Sequence, residues 1–230
     1  MGFIINMNLD IKNNINFQAR FDIRKADDIA RYVNELYPRV SGRKICSLDS
    51  YACNKAALYY KCRGRVFAEY ISKIRNVRKS SKSIYKSNNS NFDKCVSYAE
   101  VVKKEKAGNC GESAFLARMI AACNGIRNTK IVYLASNDVN LDHYAVYVED
   151  KKPYIIDSWL GIADYVPNVL DKLKSEYRKL AGIGEFTADS SLNFKESHGN
   201  YITNDEMVFS EELVNQLIEK YPDLVLKRKK

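Results

Sequence analysis

Three short segments of the chain carry a cysteine, a histidine and an aspartate in an order that suits nucleophilic thiol chemistry. Cys110 opens an apolar stretch, His143 begins a stretch of β-branched and aromatic residues, and Asp157 lies late in the next such stretch. A thiol with an ordinary pKa of about 8.5 is mostly protonated at neutral pH and attacks poorly in that form. A histidine can take the proton, and a carboxylate can fix the orientation of the histidine. The pattern predicts a Cys110–His143–Asp157 catalytic triad.

The residues that follow the cysteine predict the helix that must position it. Residues 110–123 are apolar around most of their circumference, which indicates a buried helix, and Asn124-Gly125 supplies its C-terminal stop. A cysteine at the start of this helix would lie among N–H groups that favour a thiolate and could also donate to an oxyanion. Gly111 would let a ligand approach the backbone closely.

The histidine and the aspartate lie on predicted strands. Three stretches rich in β-branched and apolar residues predict strands: 129–135, 143–149 and 154–159. A three-residue loop between the last two strands would set residue 148 opposite residue 152, and therefore His143 opposite Asp157. Directly opposed side chains share one face of a sheet at about 5 Å, so the two would be within reach. A loop one residue longer or shorter would shift this register.

The order of these motifs resembles that of the papain-like superfamily, including its transglutaminase-like branch. Ile155-Ile156-Asp157-Ser158-Trp159 is similar to the Asn-Ser-Trp element of papain-type proteases, with Asp157 in place of the asparagine. With Asn109-Cys110-Gly111-Glu112 and Asp142-His143, it looks closer still to the Cys-His-Asp domains of bacterial toxins and injected effectors. The resemblance covers roughly residues 93–165. It implies an α+β papain-like fold in which the Cys-bearing helix is buried against an antiparallel sheet.

This resemblance implies a cysteine-dependent amide hydrolase or acyl transferase that acts on a protein substrate through a thioester. Several of the effector domains deamidate glutamine in host proteins, and others are proteases. We therefore expect a glutamine deamidase of a host protein, with a role in virulence, ahead of a cysteine protease of the papain-like clan. A catalytically silent interaction module is the third hypothesis, and the presence of all three triad residues argues against it.

The sequence departs from the papain pattern near the cysteine. No glutamine occurs in residues 103–107, where papain-type enzymes place an oxyanion donor, and Gly111 replaces the aromatic residue that usually follows their cysteine. These departures count against papain-type proteolysis. The candidates for binding the oxyanion or the substrate are backbone N–H groups together with Asn109, Gly111 and Trp159.

The remaining histidine and cysteines carry weaker signals. His198 lies in a polar stretch, so we expect a solvated loop residue, and the spacing of Cys46, Cys53 and Cys62 matches no zinc site. Taken one at a time, the triad residues also have structural explanations: a buried thiol, a core histidine and an aspartate that caps a turn. The prediction therefore depends on the three in combination, and it includes no metal and no cofactor.

Composition and charge limit the class of partner. The 230 residues are 46% hydrophobic, which is enough for a full core, and their net charge is +9. That charge favours an acidic surface on a protein substrate. The lysines are dispersed and no nucleic-acid motif is present, so we do not expect nucleic acid as the partner. No stretch approaches the roughly 18 apolar residues of a membrane span.

The chain start and the flanking segments complete the prediction. The first residues show no signal-peptide pattern, so we expect a reducing cytosol, or entry into a host cell without such a signal. Residues 1–79 are interpreted as a helical N-terminal part, 80–91 as a polar linker or loop, and 92–230 as the catalytic core with C-terminal helices. The N-terminal part could recognise the target or serve structure alone. Apolar periodicity predicts helices over residues 23–37, 48–62, 66–77, 92–106, 166–180 and 210–220.

Overall fold

The structure is a computed structural model that describes residues 23–36, 64–108, 110–135, 143–166, 168–173, 193–196 and 207–226. Over these residues the chain is a mixed α+β fold with an antiparallel sheet, as the sequence predicted. In this described part, no helix combines the length and the apolar character that crossing a bilayer would need.

Two of the helices begin at a serine cap. In chain order they are α1 (23–35), α2 (Gly64–Lys86), α3 (Asn91–Glu105), α4 (Cys110–Cys123), α5 (168–173) and α6 (Glu211–Lys220), with a 3₁₀ turn at Pro222–Leu224. The Ser90 hydroxyl accepts the Asp93 N–H at the start of α3, and Ser210 accepts the Leu213 N–H at the start of α6. Lys106 ends α3 in the left-handed conformation with φ of 49°.

The predicted linker over residues 80–91 is mostly helical, which corrects the sequence interpretation. Helix α2 continues through Lys86, and only residues 87–90 separate it from α3. Ser81 is buried within α2, and its hydroxyl donates to the Val77 carbonyl at 2.7 Å. Polar residues on a helix surface and in a loop look alike in sequence, so composition misled here. The predicted helix over 48–62 lies outside the described residues.

The sheet places the histidine and the aspartate at one end of neighbouring strands. The strands are β1 (Thr129–Ala135), β2 (His143–Val148), β3 (Tyr154–Asp157), β4 (Ile162–Tyr165) and β5 (Asn193–Glu196), paired antiparallel in the order β4-β3-β2-β1-β5. Val148 pairs with Tyr154, so the β2–β3 loop has five residues and the predicted three-residue loop is wrong. The register is shifted by two, and a shift of two keeps His143 and Asp157 on one face.

Both faces of the sheet are covered. On one face, α4 is buried along its whole length and shares a hydrophobic core with α1. On the other face, a smaller cluster joins strand residues to α5 and includes Cys110. Adjacent strand residues alternate between the two clusters, as side chains on a pleated strand must. The α1 residues in the larger core, all fully buried, are Ala26, Ile29, Ala30 and Val33.

Candidate active site

Cys110 is the first residue of α4, as the sequence predicted. It is only 3% exposed, and Gly111, which follows it, is also buried. The first N–H groups of a helix have no partners within the helix and carry the positive end of its dipole. The thiol therefore lies at the positive end of the helix dipole, where backbone donors can reach an oxyanion. Asn109, the predicted side-chain donor, lies outside the described residues.

His143 and Asp157 form a buried pair on the sheet. The Nε2 atom of His143 donates to Oδ2 of Asp157 at 2.7 Å, and both side chains are fully buried. His143 begins β2 and Asp157 ends β3, so the antiparallel pairing brings both to the same end of the sheet. The structure thus unites the two residues despite the altered register.

Asp157 is held by the turn that follows it. Its Oδ1 atom accepts the Leu160 N–H at 3.0 Å, and its backbone carbonyl accepts the Gly161 N–H at 2.8 Å. Gly161 has φ of 77°, in the region that favours glycine. Strand β3 therefore stops at Asp157, two residues before the predicted end. One carboxylate oxygen fixes the turn while the other remains for His143.

The Cys110 thiol interacts with His143, the residue that also pairs with Asp157. Burial alone would lower the pKa of His143. The charge of Asp157, the hydrogen bond to Asp157 and the interaction with the Cys110 thiol outweigh burial and raise this pKa from 6.5 to about 10. Because Nε2 faces Asp157, Nδ1 is the ring nitrogen that remains for Cys110. A protonated imidazole beside a sulfur favours the thiolate. His143 is therefore within reach of both Cys110 and Asp157, and the catalytic role of the three residues stays a prediction.

Trp159 closes the site on one side. Its ring lies beside the His143 ring, with centroids 5.5 Å apart and the planes tilted by 59°, and Trp159 is 1% exposed. A buried aromatic neighbour excludes water, which strengthens the charge interactions within the site. The indole N–H is buried and has no hydrogen-bond acceptor among the described residues. Trp159 thus contacts His143, and its role in binding the oxyanion or the substrate stays a prediction.

Two polar residues at the site were missed from the sequence. The Glu112 carboxylate, two residues after Cys110 in α4, is fully buried and accepts the Arg78 Nε–H at 3.3 Å. Asn34 of α1 donates to the Trp159 carbonyl at 2.6 Å. Glu112 was visible within the Asn-Cys-Gly-Glu motif but carried no assigned partner. Asn34 lies more than a hundred residues from Trp159 in sequence, so no local pattern could have linked them.

The other described cysteines have no comparable neighbours. Burial raises the pKa of Cys95 to about 12 and that of Cys123 to about 11. The Cys95 sulfur lies 3.2 Å from the Met207 sulfur in the core. Across the described ranges, no three His, Cys, Asp or Glu side chains are grouped so as to hold a metal ion. His198, Cys46, Cys53 and Cys62 lie outside those ranges.

Comparisons with protein-family models, with curated proteins and with solved structures found no match to this chain. Function must therefore be inferred from the chemistry of the site, in which a buried histidine contacts both a cysteine at a helix N-terminus and a buried aspartate.

Proposed function

We propose that this protein is a cysteine-dependent amide hydrolase or acyl transferase that acts through a thioester on a protein substrate. The observation that carries the proposal is His143, which is fully buried between Cys110 and Asp157 and whose pKa both of them raise. A purely structural histidine has no need for a thiol on one side and a carboxylate on the other. A thiol nucleophile needs both.

The reaction would proceed in two halves. The Cys110 sulfur, whose proton His143 Nδ1 has already accepted, attacks the amide carbonyl as the thiolate, and the carbonyl oxygen becomes an oxyanion near the N–H groups at the start of α4. The C–N bond then breaks, and the leaving nitrogen takes the proton from His143. Water, deprotonated by His143, attacks the resulting thioester and releases the acid and the free thiol. Asp157 holds the ring throughout.

The proton relay alone cannot supply the rate. Conversion of a thiol from a few per cent to full ionisation gains about 30-fold, and some of this is lost because a less basic thiolate is a weaker nucleophile. Each oxyanion donor is often worth about 100-fold or more. The N–H groups at the start of α4 and the buried Trp159 N–H are two candidate donors.

We propose glutamine side chains as the first acceptor to test, ahead of backbone amides. This ranking rests on the likeness of the Asn-Cys-Gly-Glu and Asp-Ser-Trp motifs to deamidating effector domains, and on the missing glutamine before Cys110. The net charge of +9 suits an acidic substrate surface. The papain-like assignment of the core and a reducing, cytosol-like site of action belong to the same proposal.

Mass spectrometry of a treated lysate tests the proposal and distinguishes its versions. Bacterial and eukaryotic lysates are incubated with the wild-type protein or with Cys110→Ala, whose fold is checked by circular dichroism. Glutamine-to-glutamate conversions would indicate deamidation, glutamine–lysine cross-links transamidation, and new peptide termini proteolysis. We expect conversions that occur with the wild type only. Identical lysates after both treatments would contradict the proposal and favour a silent interaction module.

A further inference from the structure

The turn that carries Asp157 is also held from outside, by helix α1. Asn34 lies in the last turn of α1, and its Nδ2 group donates to the Trp159 carbonyl at 2.6 Å and to the Ser158 carbonyl at 3.3 Å. Ala30, one helical turn earlier, and the adjacent Val33 are fully buried in the core shared with α4. The amide is therefore presented to the turn from a packed support.

Gly161 allows this close approach. A Cβ atom at residue 161 would lie 3.1 Å from Asn34 Cγ and 3.2 Å from Asn34 Cβ, tighter than nine in ten real Cβ contacts. The turn is thus fixed from two directions. Within the turn, the Asp157 carboxylate and carbonyl accept backbone N–H groups. From α1, Asn34 donates to the carbonyls of Ser158 and Trp159.

We propose that Asn34 is a positioning residue of the active site, whose amide fixes the turn over residues 157–161 and thereby the Asp157 carboxylate against His143. Its catalytic meaning rests on the proposed function, whereas the positioning itself can be measured in the resting protein. Asn34 acts through Asp157 rather than on the reacting atoms. The N-terminal helix then belongs to the catalytic unit as well as to the core.

Histidine NMR tests the proposal directly, because the chain has only two histidines and His198 provides the second signal. Asp157 of β3 and Cys110 of α4 are the titratable groups that act on His143. In Asn34→Ala, we expect the His143 midpoint to fall by about one unit or more, which is a tenfold change in its protonation equilibrium. We also expect Cys110 alkylation at pH 6 to slow about tenfold.

A matched control is available at the far end of α4. Asn124 likewise donates Nδ2 to two carbonyls, those of Ile120 at 2.8 Å and Leu224 at 2.7 Å. Asn124→Ala removes the same kind of bonds, together with the one that Asn124 Oδ1 accepts from the Leu226 N–H at 3.0 Å, and should leave the His143 midpoint unchanged. Asn34→Leu, which keeps the packing but not the donors, should behave as Asn34→Ala does.

The outcomes separate the two proposals. A His143 midpoint in both Asn34 variants equal to that in Asn124→Ala would overturn the positioning role. Loss of folding in both variants, while Asn124→Ala folds, would assign Asn34 to stability alone and would also overturn it. If wild-type Cys110 shows no enhanced reactivity, the proposed function fails, yet the histidine titration still reports whether Asn34 positions Asp157.

Discussion

Replacement of Asp157 by asparagine removes one charge from a fully buried pair and should change the pH dependence of folding. The pKa of His143 is raised in the folded protein from 6.5 to about 10. A raised pKa means that the stabilisation is complete below about pH 6.5 and is lost as the pH rises through the folded value. Wild-type stability should therefore fall between these two limits, and the Asp157→Asn variant should lose most of this slope.

The size of the effect follows from two bounds. At about 1.4 kcal/mol per unit, the full shift of His143 sets a ceiling of about 5 kcal/mol, which Cys110 and Asp157 share. A hydrogen bond to a charged group contributes about 1.5–3 kcal/mol. We expect Asp157→Asn to lower the free energy of unfolding by about 2 kcal/mol at pH 6, and by less than about 1 kcal/mol at pH 10.

Urea denaturation measured at several pH values between 6 and 10 is the assay, with circular dichroism as the probe. Asp164→Asn is the matched control. Burial alone would raise the pKa of Asp164, but Lys172 and the Tyr165 N–H outweigh burial and lower this pKa below its usual value. The contribution of Asp164 to folding stability is therefore lost only in acid. Because this pair is partly exposed, we expect a loss of less than about 1 kcal/mol with no slope above pH 6. A loss of stability for Asp157→Asn that is equal at pH 6 and pH 10 would show that Asp157 does not raise the pKa of His143.

Two further predictions concern the supports of the site. Gly161→Ala should destabilise the protein by about 1 kcal/mol more than Gly125→Ala. Both residues have positive φ, but only at Gly161 would the new Cβ atom meet a neighbour, Asn34. Equal losses of stability in urea denaturation would contradict this contact. Arg78→Met should cost about 2 kcal/mol, because it removes the cation beside the buried Glu112 carboxylate, and adding Glu112→Gln should recover about half of this. Strictly additive losses in that double-mutant cycle would show that the pair is not coupled.

The elements around the triad were predictable because their signals are local. Residues 110–123 are apolar on every side, which is typical of a buried helix, and α4 has these bounds. The strand over 129–135 also agrees with β1, and Ser210 caps α6 as its sequence indicates. In each case, a few adjacent residues determine the conformation of the segment.

Long-range features were not predictable in the same way. Loop length sets the register of β2 and β3, and the sequence did not distinguish a three-residue loop from one of five. His143 and Asp157 still share one face of the sheet only because the error in the register was an even number of residues. The contacts of Asn34 with the Trp159 carbonyl and of Arg78 with Glu112 join distant segments, which no periodicity connects. Helix α2 was cut short in the sequence interpretation because its surface is polar.

Intact-mass analysis after brief treatment with iodoacetamide at pH 6 shows whether His143 activates the Cys110 thiol. The wild type is compared with Cys110→Ala, His143→Ala and Cys123→Ala, because burial raises the pKa of the Cys123 thiol to about 11 and should keep it unreactive. We expect rapid addition of a single label in the wild type and in Cys123→Ala, no rapid label in Cys110→Ala, and slow labelling in His143→Ala. Slow labelling spread over several cysteines, with no effect of His143→Ala, would contradict an activated Cys110 thiolate.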